Sequence, residues 1–254
     1  MKILTTGINS GLGRYIYDDV RCLGFGRNTA IEEIEKIKSA GVDVIIHCAF
    51  NSNPKVELSS LYQYLQDNVI LTNKLVSFPH EKFIFISSVD VYPKDGNLHS
   101  EDENIYLNAV NSVYGITKLM SESIVRKYCK NYLILRVSAM LGIYSRRNSL
   151  IRMIEDTECE LTLSHNSIFN YILHSDILSF IKFSIDHDIQ GTFNMVSSTN
   201  ISLLEVADML KKIIRFGEYF YDVGNIDNSR ISSVFPAFKK SSREVIFEFM
   251  RCKK

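Results

Sequence analysis

The chain of 254 residues contains only four prolines and twelve glycines, and no stretch of it is rich in both. Internal repeats and low-complexity segments are missing as well. A flexible linker between independent domains is therefore not predicted. The length suits one large structural unit or two small ones.

An excess of either charge is also missing, because 29 Lys and Arg residues balance 29 Asp and Glu residues. A net charge of zero argues against nucleic acid or a membrane surface as a partner. No apolar run reaches the ~18 residues that a membrane-spanning helix needs. The run that begins at Lys2 indicates a strand rather than a signal peptide, so we expect a cytoplasmic protein.

Cysteine is present, but not in an arrangement typical of a disulfide framework or a metal site. The five cysteines lie far apart and form no Cys-x-x-Cys pair. Two of them, Cys22 and Cys48, lie in apolar runs that resemble strands. We interpret all five as reduced thiols and predict no bound metal.

What is present begins with a glycine loop between a strand and a helix. Residues 2–6 are apolar, the loop has the spacing Gly7-x-x-x-Gly11-x-Gly13, and a helical run follows from Arg14. Glycines let the backbone approach a pyrophosphate, and the N–H groups at the helix start point towards it. The residues assigned to a dinucleotide here are Gly7, Asn9, Ser10, Gly11, Leu12 and Gly13.

A second strand is predicted from Val20 to Phe25, and the residues after it bear on the choice of dinucleotide. NAD enzymes usually carry an acidic residue there for the ribose hydroxyls, whereas this chain continues Gly26-Arg27-Asn28. An arginine at this place can pair with a 2′-phosphate. We therefore assign Arg27 and Asn28 to the cofactor, with NADP preferred and NAD possible; the alternative is a solvated loop arginine.

Strands and helices alternate regularly up to residue 139, which predicts a doubly wound parallel sheet with helices on both faces. The further predicted elements in this part are a helix at 31–40, a buried strand at 42–49, a helix at 58–76, a buried strand at 82–88, a helix at 112–128 and a strand at 132–137. No separate strand fits between Arg27 and Ile31, so one strand of the usual order is expected to be lost or very short. His47, inside a buried run, is interpreted as a core histidine rather than a catalyst.

From Met140 onwards the pattern breaks into short pieces, which predicts a small lobe over the active site. The predicted pieces are a helix fragment at 150–154, a strand at 160–163, a helix at 175–186, a strand at 191–196, a helix at 202–215 and an amphipathic helix in the tail. Ser175 and Asp176 are expected to cap the first long helix. Ile213 is expected to face inward from the second.

The stretch from Ser87 to Lys118 combines residues suited to proton transfer. Tyr114 and Lys118 are four apart, so they share one face of the predicted helix. A lysine ammonium there would favour tyrosinate and lower the phenol pKa from its ordinary ~10. Ser87 and Ser88, at the end of the preceding strand, could hydrogen-bond a substrate oxygen. An exposed tyrosine near a solvated lysine is the alternative interpretation.

Several motifs occur in a fixed order along almost the whole chain. They are Thr6-Gly7…Gly11-Leu-Gly13, Asp43-Val-Ile-Ile-His-Cys-Ala49, Asn68-Val-Ile-Leu-Thr-Asn73, Ser87-Ser88-Val-Asp-Val-Tyr92, Tyr114-Gly-Ile-Thr-Lys118, Leu135-Arg136, Tyr171-Ile-Leu-His174-Ser-Asp176 and Gly191-Thr-Phe-Asn194. As a set they resemble the extended short-chain dehydrogenase/reductase family, the NAD-dependent epimerase/dehydratase group that acts on nucleotide sugars. The resemblance implies a Rossmann-like doubly wound sheet with a small C-terminal substrate-binding lobe. It also implies a single unit over 1–254, in which 1–139 mainly binds NAD(P) and 140–254 mainly forms the lobe and returns one strand to the sheet.

The resemblance assigns roles to these motifs. Tyr114 would be the proton donor or acceptor, Lys118 would bind the nicotinamide ribose and hold tyrosinate, and Ser88 would orient the sugar oxygen. Further cofactor contacts would be Cys48, Ala49, Asn68 and Ser87, together with Tyr114 and Lys118. Substrate contacts would be Ser88, Val89, Asp90 and Tyr114. The helices at 58–76 and 112–128 would dock on their copies to form a homodimer. The apolar candidates for this interface are Leu61, Leu65, Leu71, Ile116, Met120 and Ile124; the alternative is that all of them face the sheet.

The expected function is hydride transfer at a carbonyl or carbinol carbon of a nucleotide sugar, as 4-keto reduction or epimerisation, of the kind used in polysaccharide biosynthesis. The chain departs from the family in its glycine spacing, in its short lobe, and in Asn170, where an arginine for a substrate phosphate is common. Arg136 matches an arginine whose role is more often structural. The alternatives are a 4,6-dehydratase, although Val89 stands where an acid is needed, a non-catalytic NAD(P) sensor, and an enzyme for lactones or aldehydes.

Overall fold

The computed structural model describes residues 1–26, 29–53 and 55–253. Its strands are β1 (Ile3–Thr6), β2 (Leu23–Phe25), β3 (Val44–His47), β4 (Lys82–Ser88), β5 (Leu98–His99), β6 (Tyr132–Val137), β7 (Ala139–Leu141), β8 (Cys159–Glu160), β9 (Ile168–Phe169), β10 (Tyr171–Leu173), β11 (Gly191–Met195), β12 (Ile201–Ser202), β13 (Ile214–Arg215) and β14 (Asn225–Ile226). Its α-helices are α1 (Gly11–Asp19), α2 (Ile31–Ala40), α3 (Leu58–Leu65), α4 (Leu71–Val76), α5 (Val113–Tyr128), α6 (Ser149–Glu155), α7 (His174–Asp186), α8 (Leu203–Leu210), α9 (Ser229–Val234) and α10 (Ser242–Cys252).

Six of the strands form one sheet in the spatial order β11-β6-β4-β3-β1-β2, and every neighbouring pair is parallel. The usual doubly wound order places a further strand outside the second one. Within the described ranges no strand lies outside β2, which itself has only three residues. The predicted fold class is therefore confirmed. The stretch between Arg27 and Ile31, where a strand is expected to be lost or very short, includes residues outside the described ranges.

The sheet is buried on both faces because its strands are apolar at successive positions. Phe83 and Phe85 of β4 join the cluster under α4 and α5, whereas Ile84 and Ile86 join the cluster under α1 and α7. None of these four side chains is more than 4 % exposed. Burying one such side chain stabilises the fold by roughly 1.5–3 kcal/mol.

Two glycines shape the turn from β1 into α1. Gly7 has a φ of +74°, and a Cβ there would lie 2.8 Å from the backbone nitrogen of Ala49. A Cβ on Gly13 would lie 2.4 Å from the carbonyl oxygen of Gly7, so a larger residue would push α1 off the sheet. The predicted strand, loop and helix are all present, but α1 begins at Gly11, inside the loop rather than at Arg14.

The segment predicted as one helix over 58–76 is helical throughout but contains a π-helical stretch, Gln66–Ile70, between α3 and α4. The last part of this segment, α4, packs against α5. Ser112 caps α5, because its Oγ accepts a hydrogen bond from the Gly115 N–H at 3.0 Å. This cap fixes the first turn of α5, on which Tyr114 lies.

In the C-terminal lobe one predicted helix is too long, because the chain turns at a residue that is not a glycine. The helix predicted over 202–215 ends at Leu210, because Lys211 adopts a left-handed conformation with φ of +53°. The chain then forms β13, which pairs with β8. Ile213, predicted to face inward, is instead 96 % exposed. The strand predicted at 160–163 is shorter than expected and begins one residue earlier.

The predicted capping of α7 by Ser175 and Asp176 is wrong. The helix begins at His174 and has no side-chain cap. The Asp176 carboxylate lies 2.7 Å from the Lys240 Nζ and ties α7 to the loop before α10. Beyond α7, β11 returns to the central sheet and pairs with β6, as expected. No helix in the described ranges is long and apolar enough to cross a membrane.

Candidate functional site

Three cavities open along the sheet edge where the parallel strands end, which is the edge at which open α/β sheets bind ligands. The outer cavity, about 520 Å³, is lined among others by Gly7, Asn9, Ser10, Cys48, Ala49, Lys74 and Arg146. The inner cavity, about 240 Å³, is lined among others by Gly11, Leu12, Gly13, Ser87, Tyr114, Lys118 and Arg146. The lobe cavity, about 1100 Å³, is lined among others by Asp90, Lys94, Tyr114, Tyr219, Tyr221 and Asp222.

Most residues predicted to bind a cofactor therefore meet at one place, although they come from four separate segments. The glycine loop contributes residues 7 and 9–13, the end of β3 contributes Cys48 and Ala49, and β4 contributes Ser87. The helix α5 adds Tyr114 and Lys118. Parallel strands end at the same edge, and this is what brings segments so far apart in sequence together.

The loop after β3 is held by a threonine and a histidine. Thr6 Oγ1 accepts hydrogen bonds from the backbone N–H groups of Cys48 and Ala49, at 3.1 and 3.0 Å. His47 Nδ1 lies 2.8 Å from the same oxygen, and its Nε2 lies 3.1 Å from Thr72 Oγ1. Burial lowers the pKa of His47 to about 3, so the ring is neutral. As predicted, it is a core histidine.

Lys118 is nearly buried, and its ammonium faces an aromatic ring. Its Nζ donates a hydrogen bond to the Ile86 carbonyl at 2.5 Å and lies 3.6 Å from the centre of the Phe50 ring. Burial lowers the pKa of Lys118 to about 7, although the charges of Cys48 and Glu122 oppose the shift. Lys118 therefore gains or loses its charge close to neutral pH.

Tyr114 lines both the inner cavity and the lobe cavity, so it stands at the junction of the two. Burial, and then the negative charge of Asp90, raises the pKa of Tyr114 above its ordinary value, and the Ser88 hydroxyl opposes the rise. The lowering expected from Lys118 is not observed, since the lysine Nζ lies 5.8 Å from the centre of the phenol ring. Tyr114 is therefore a neutral phenol at neutral pH.

Ser88 and Asp90 form a small polar group beside Tyr114. Ser88 Oγ accepts a hydrogen bond from the Asp90 N–H at 3.1 Å, so the serine caps the turn after β4. The Asp90 carboxylate accepts one from Tyr221 Oη at 3.3 Å and lies 3.5 Å from Lys94 Nζ. Asp90 lines the lobe cavity, and its carboxylate is already engaged by Ser88, Tyr221 and Lys94.

A buried carboxylate, Glu122, supports the site from behind. It accepts hydrogen bonds from Ser87 Oγ at 2.5 Å and from Arg136 Nε and Nη2 at 3.1 and 2.9 Å. Burial favours its neutral form, but the charge of Arg136 outweighs this and lowers the pKa of Glu122. Ser87 is therefore tied to the scaffold, and Arg136 has the structural role expected for it. Glu122 was not predicted, although it lies four residues beyond Lys118 on the same helix face.

Two other predicted contacts, Asn68 and Val89, lie elsewhere. Asn68 is fully buried, and its side chain bonds both the N–H and the carbonyl of Asn51, at 2.7 and 3.1 Å, so it fastens a loop. Val89 is 2 % exposed and packs in the core. Arg27 and Asn28 lie outside the described residues. Asn170 is also buried and bonds to Ser138 Oγ at 2.9 Å, so it faces the interior rather than a ligand.

Phe50, Arg146 and Tyr221 are among the cavity residues that sequence reasoning missed. Phe50 follows the end of β3 directly and lines both the outer and the inner cavity. Arg146 and Tyr221 come from irregular segments far along the chain. The position of Phe50 after a buried strand was an available signal, whereas no periodicity or motif marks the other two.

The outer and inner cavities fit a dinucleotide. Gly11 has a φ of +60°, and a Cβ there would meet no atom within 4 Å, which leaves open space in front of the first turn of α1. The two cavities share Ser10, Cys48, Phe50 and Arg146, so they join above the glycine loop. A ligand with two arms and a short bridge can occupy both. Within the described part of the chain, no three His, Cys, Asp or Glu residues are grouped as metal ligands.

Comparisons with known proteins show what the chain is similar to. The family model for the NAD dependent epimerase/dehydratase family matches residues 12–195. Among curated proteins, methionine adenosyltransferase 2 subunit beta from Danio rerio is 28% identical over 158 residues, which are 56% of this chain and 48% of that protein. The chain thus spans about half the length of this relative.

Solved structures share the fold. A dTDP-4-dehydrorhamnose reductase from Bacillus anthracis in complex with NADP has a TM-score of 0.80 and 18% identity, with 98% of both chains covered. A UDP-glucuronic acid 4-epimerase from Bacillus cereus, in complex with UDP-glucuronic acid and NAD, has a TM-score of 0.79 and 18% identity over the full length of both chains. At these identities the likeness is one of fold.

Proposed function

The chain belongs to the NAD-dependent epimerase/dehydratase family, and on this basis we propose that it is an NAD(P)-dependent enzyme acting on a nucleotide sugar. In this proposal it moves one hydride and one proton at a carbonyl or carbinol carbon. The net reaction is reduction of a 4-keto sugar or epimerisation through a transient ketone. The nicotinamide cofactor supplies or accepts the hydride, and the side chains described above position it and move the proton.

One observation supports this proposal most strongly: Tyr114 lines both the inner cavity and the lobe cavity. A group that gives a proton to, or takes one from, the oxygen of a carbon undergoing hydride transfer has to reach that oxygen where the cofactor and the substrate meet. Lys118 lies on the same helix face and lines the inner cavity. In the proposal Lys118 binds the nicotinamide ribose, and Ser88 holds the reacting oxygen.

The protonation state of Tyr114 favours the reductive direction. Because burial and Asp90 raise its pKa, the phenol carries its proton at neutral pH. A protonated phenol is suited to donate to the oxyanion that forms when a ketone accepts a hydride. Oxidation, as in the first half of an epimerisation, would need tyrosinate, which this environment opposes.

The cofactor assignment distributes the dinucleotide over the two joined cavities. Its nicotinamide half would lie in the inner cavity against Lys118, and its adenosine half in the outer cavity. We assign NADP as the preferred form, with NAD as the second. The reasons are Arg27 in the sequence and the positive charge of Lys74 on the outer cavity wall.

We also propose a homodimer formed by the surface of α3, α4 and α5. Large apolar side chains on these helices are exposed, with Leu58 at 88%, Tyr62 at 73% and Met120 at 37%. The residues predicted for this interface, namely Leu61, Leu65, Leu71, Ile116, Met120 and Ile124, are half-buried or exposed. Sedimentation at micromolar concentration should show twice the mass of the chain. A monomer at that concentration would contradict the dimer.

One observation favours a second candidate, an enzyme for uncharged carbonyl compounds such as lactones or aldehydes. The charged residues that line the lobe cavity are Asp90, Asp222 and Lys94. The Lys94 Nζ donates to the Val223 carbonyl at 2.8 Å and lies 3.5 Å from Asp90. This cavity therefore offers a diphosphate little positive charge.

A substrate screen that follows the absorbance of the reduced cofactor distinguishes the two candidates. Nucleotide sugars and their 4-keto forms make one panel, and neutral lactones and aldehydes make the other. Turnover of the first panel supports the nucleotide-sugar proposal. Turnover of the second panel alone supports the alternative, and cofactor binding without turnover of either indicates a sensor.

A further inference from the structure

Arg146 reaches from the segment between β7 and α6 across the start of α1. Its Nη1 donates a hydrogen bond to Ser52 Oγ at 2.8 Å, and its Nη2 donates to Ser10 Oγ at 3.4 Å. Ser10 is the N-cap residue of α1, and Ser52 lies in the loop after β3. The guanidinium thus spans the gap between the glycine loop and that second loop.

The segment that carries Arg146 is fastened to the glycine loop by its backbone. The Gly11 N–H donates to the Tyr144 carbonyl oxygen at 3.0 Å. Of the residues that line both the outer and the inner cavity, Arg146 is the charged one among those the structure describes. Any ligand that occupies both cavities therefore passes directly beside this guanidinium.

The charge of Arg146 is not neutralised by the protein. Within residues 1–26, 29–53 and 55–253 it forms no ion pair with a carboxylate, and it donates to the neutral hydroxyls of Ser52 and Ser10. The next residue, Arg147, pairs with Asp156 instead. Arginine binds phosphate oxygens with two parallel N–H donors, and the contact to Ser10 is long enough to exchange for a stronger one.

We propose that Arg146 binds the pyrophosphate of the dinucleotide from the solvent side, opposite the glycine loop. The N–H groups of the first turn of α1, apart from that of Gly11, which donates to Tyr144, face the same anion from the protein side. The guanidinium and these N–H groups hold the anion between them. This inference rests on the proposed function, because it takes a dinucleotide as the ligand. It adds a binding residue that neither the glycine loop nor the sequence motifs include.

Binding measurements with three ligands test the inference without turnover. NADPH and ADP-ribose contain the pyrophosphate, whereas adenosine 2′-monophosphate has the adenosine part without it. In calorimetry, Arg146→Ala should weaken NADPH and ADP-ribose by about 10- to 100-fold, the value of a charge-assisted hydrogen bond pair. The affinity for adenosine 2′-monophosphate should stay within about twofold.

Arg147→Ala is the matched control, since it removes the neighbouring exposed arginine and should leave all three affinities unchanged. Arg146→Lys should retain part of the pyrophosphate affinity, because the charge remains while the paired donors are lost. Equal affinities of wild type and Arg146→Ala for NADPH would overturn the inference alone. An equal loss for adenosine 2′-monophosphate would also overturn it, because Arg146 would then contact the adenosine half. A wild-type chain that binds no NADPH would overturn the proposed function as well.

Discussion

The two sides of Tyr114 carry opposite charge. On the side of the outer and inner cavities, Lys74, Lys118 and Arg146 face one carboxylate, Asp67. On the side of the lobe cavity, two carboxylates face Lys94, which is already engaged. Tyr114 lies at the boundary: burial does most to raise its pKa, Asp90 raises it further, and Arg146 opposes the rise weakly.

The difference agrees with the ligand proposed for each side. Positive charge beside a helix N-terminus suits an anionic dinucleotide. The acidic lobe cavity suits the hydroxyls of a sugar and disfavours added negative charge. Burial raises the pKa of Tyr114 and Asp90 raises it further, so the charge pattern and the proposed reductive direction agree.

The largest expected effect separates the chemistry from cofactor binding. Tyr114→Phe keeps the ring and removes the proton-transfer group, so turnover should fall by about 10²- to 10⁴-fold. The affinity for NADPH should remain, since the cavities that bind it are intact. Unchanged turnover in this variant would remove Tyr114 from the mechanism.

The next effect concerns the choice between NADP and NAD, which the sequence assigns to Arg27. Arg27→Ala should weaken NADP relative to NAD by about 1.5–3 kcal/mol if the arginine meets the 2′-phosphate. Arg21→Ala serves as the control, because it also replaces an arginine by alanine, a few residues before Arg27 in the sequence. Equal losses for NADP and NAD would show that Arg27 does not contact the phosphate.

A smaller effect should appear when the charge of Lys118 is titrated. Its pKa near 7 lies below the ordinary value for lysine, so the free enzyme loses this charge as the pH rises through about 7. An anionic dinucleotide favours the protonated lysine, so the affinity for NADPH should fall over that range, by at most about tenfold per pH unit. Lys118→Met should abolish the slope. A slope that survives in Lys118→Met would assign it to another group.

The smallest effect tests the acidic side. Asp90→Asn removes the charge that raises the pKa of Tyr114, so the pH profile of the oxidative reaction should shift to lower pH. Asp222→Asn removes a charge from the same cavity and should shift the profile less, because Asp222 is not among the groups that raise the pKa of Tyr114. Identical profiles for Asp90→Asn and wild type would disconnect Asp90 from Tyr114.

The positive side was more predictable from the sequence than the acidic side, for a physical reason. A buried strand such as β4 appears as an unbroken apolar run, and its end fixes where Ser87 and Ser88 lie. The loop between β1 and α1 is marked by Gly7 and Gly13, where neighbouring backbone lies too close for a Cβ. Buried parallel strands impose a pattern on the sequence because every position of theirs is packed.

The lobe side gives no comparable pattern. Tyr221 lies in an irregular segment, and the helix predicted to continue to residue 215 ends early because Lys211 takes a left-handed conformation. Arg146 belongs to the positive side but was missed for the same reason. It is placed by a contact between segments more than 130 positions apart, the backbone hydrogen bond from Gly11 to Tyr144. Propensity and periodicity describe local structure, and these positions depend on tertiary contacts.

Isotope transfer tests the central claim, that one hydride and one proton move at a single carbon, most directly. The enzyme would be incubated with a 4-keto nucleotide sugar and NADPH deuterated at the transferable position, and the product examined by mass spectrometry and NMR. The account predicts one deuterium at the former carbonyl carbon, and almost none with Tyr114→Phe. A repetition in deuterated water should leave C5 unlabelled and the C6 oxygen in place. Solvent deuterium at C5 together with loss of the C6 oxygen would contradict the account and identify a dehydratase.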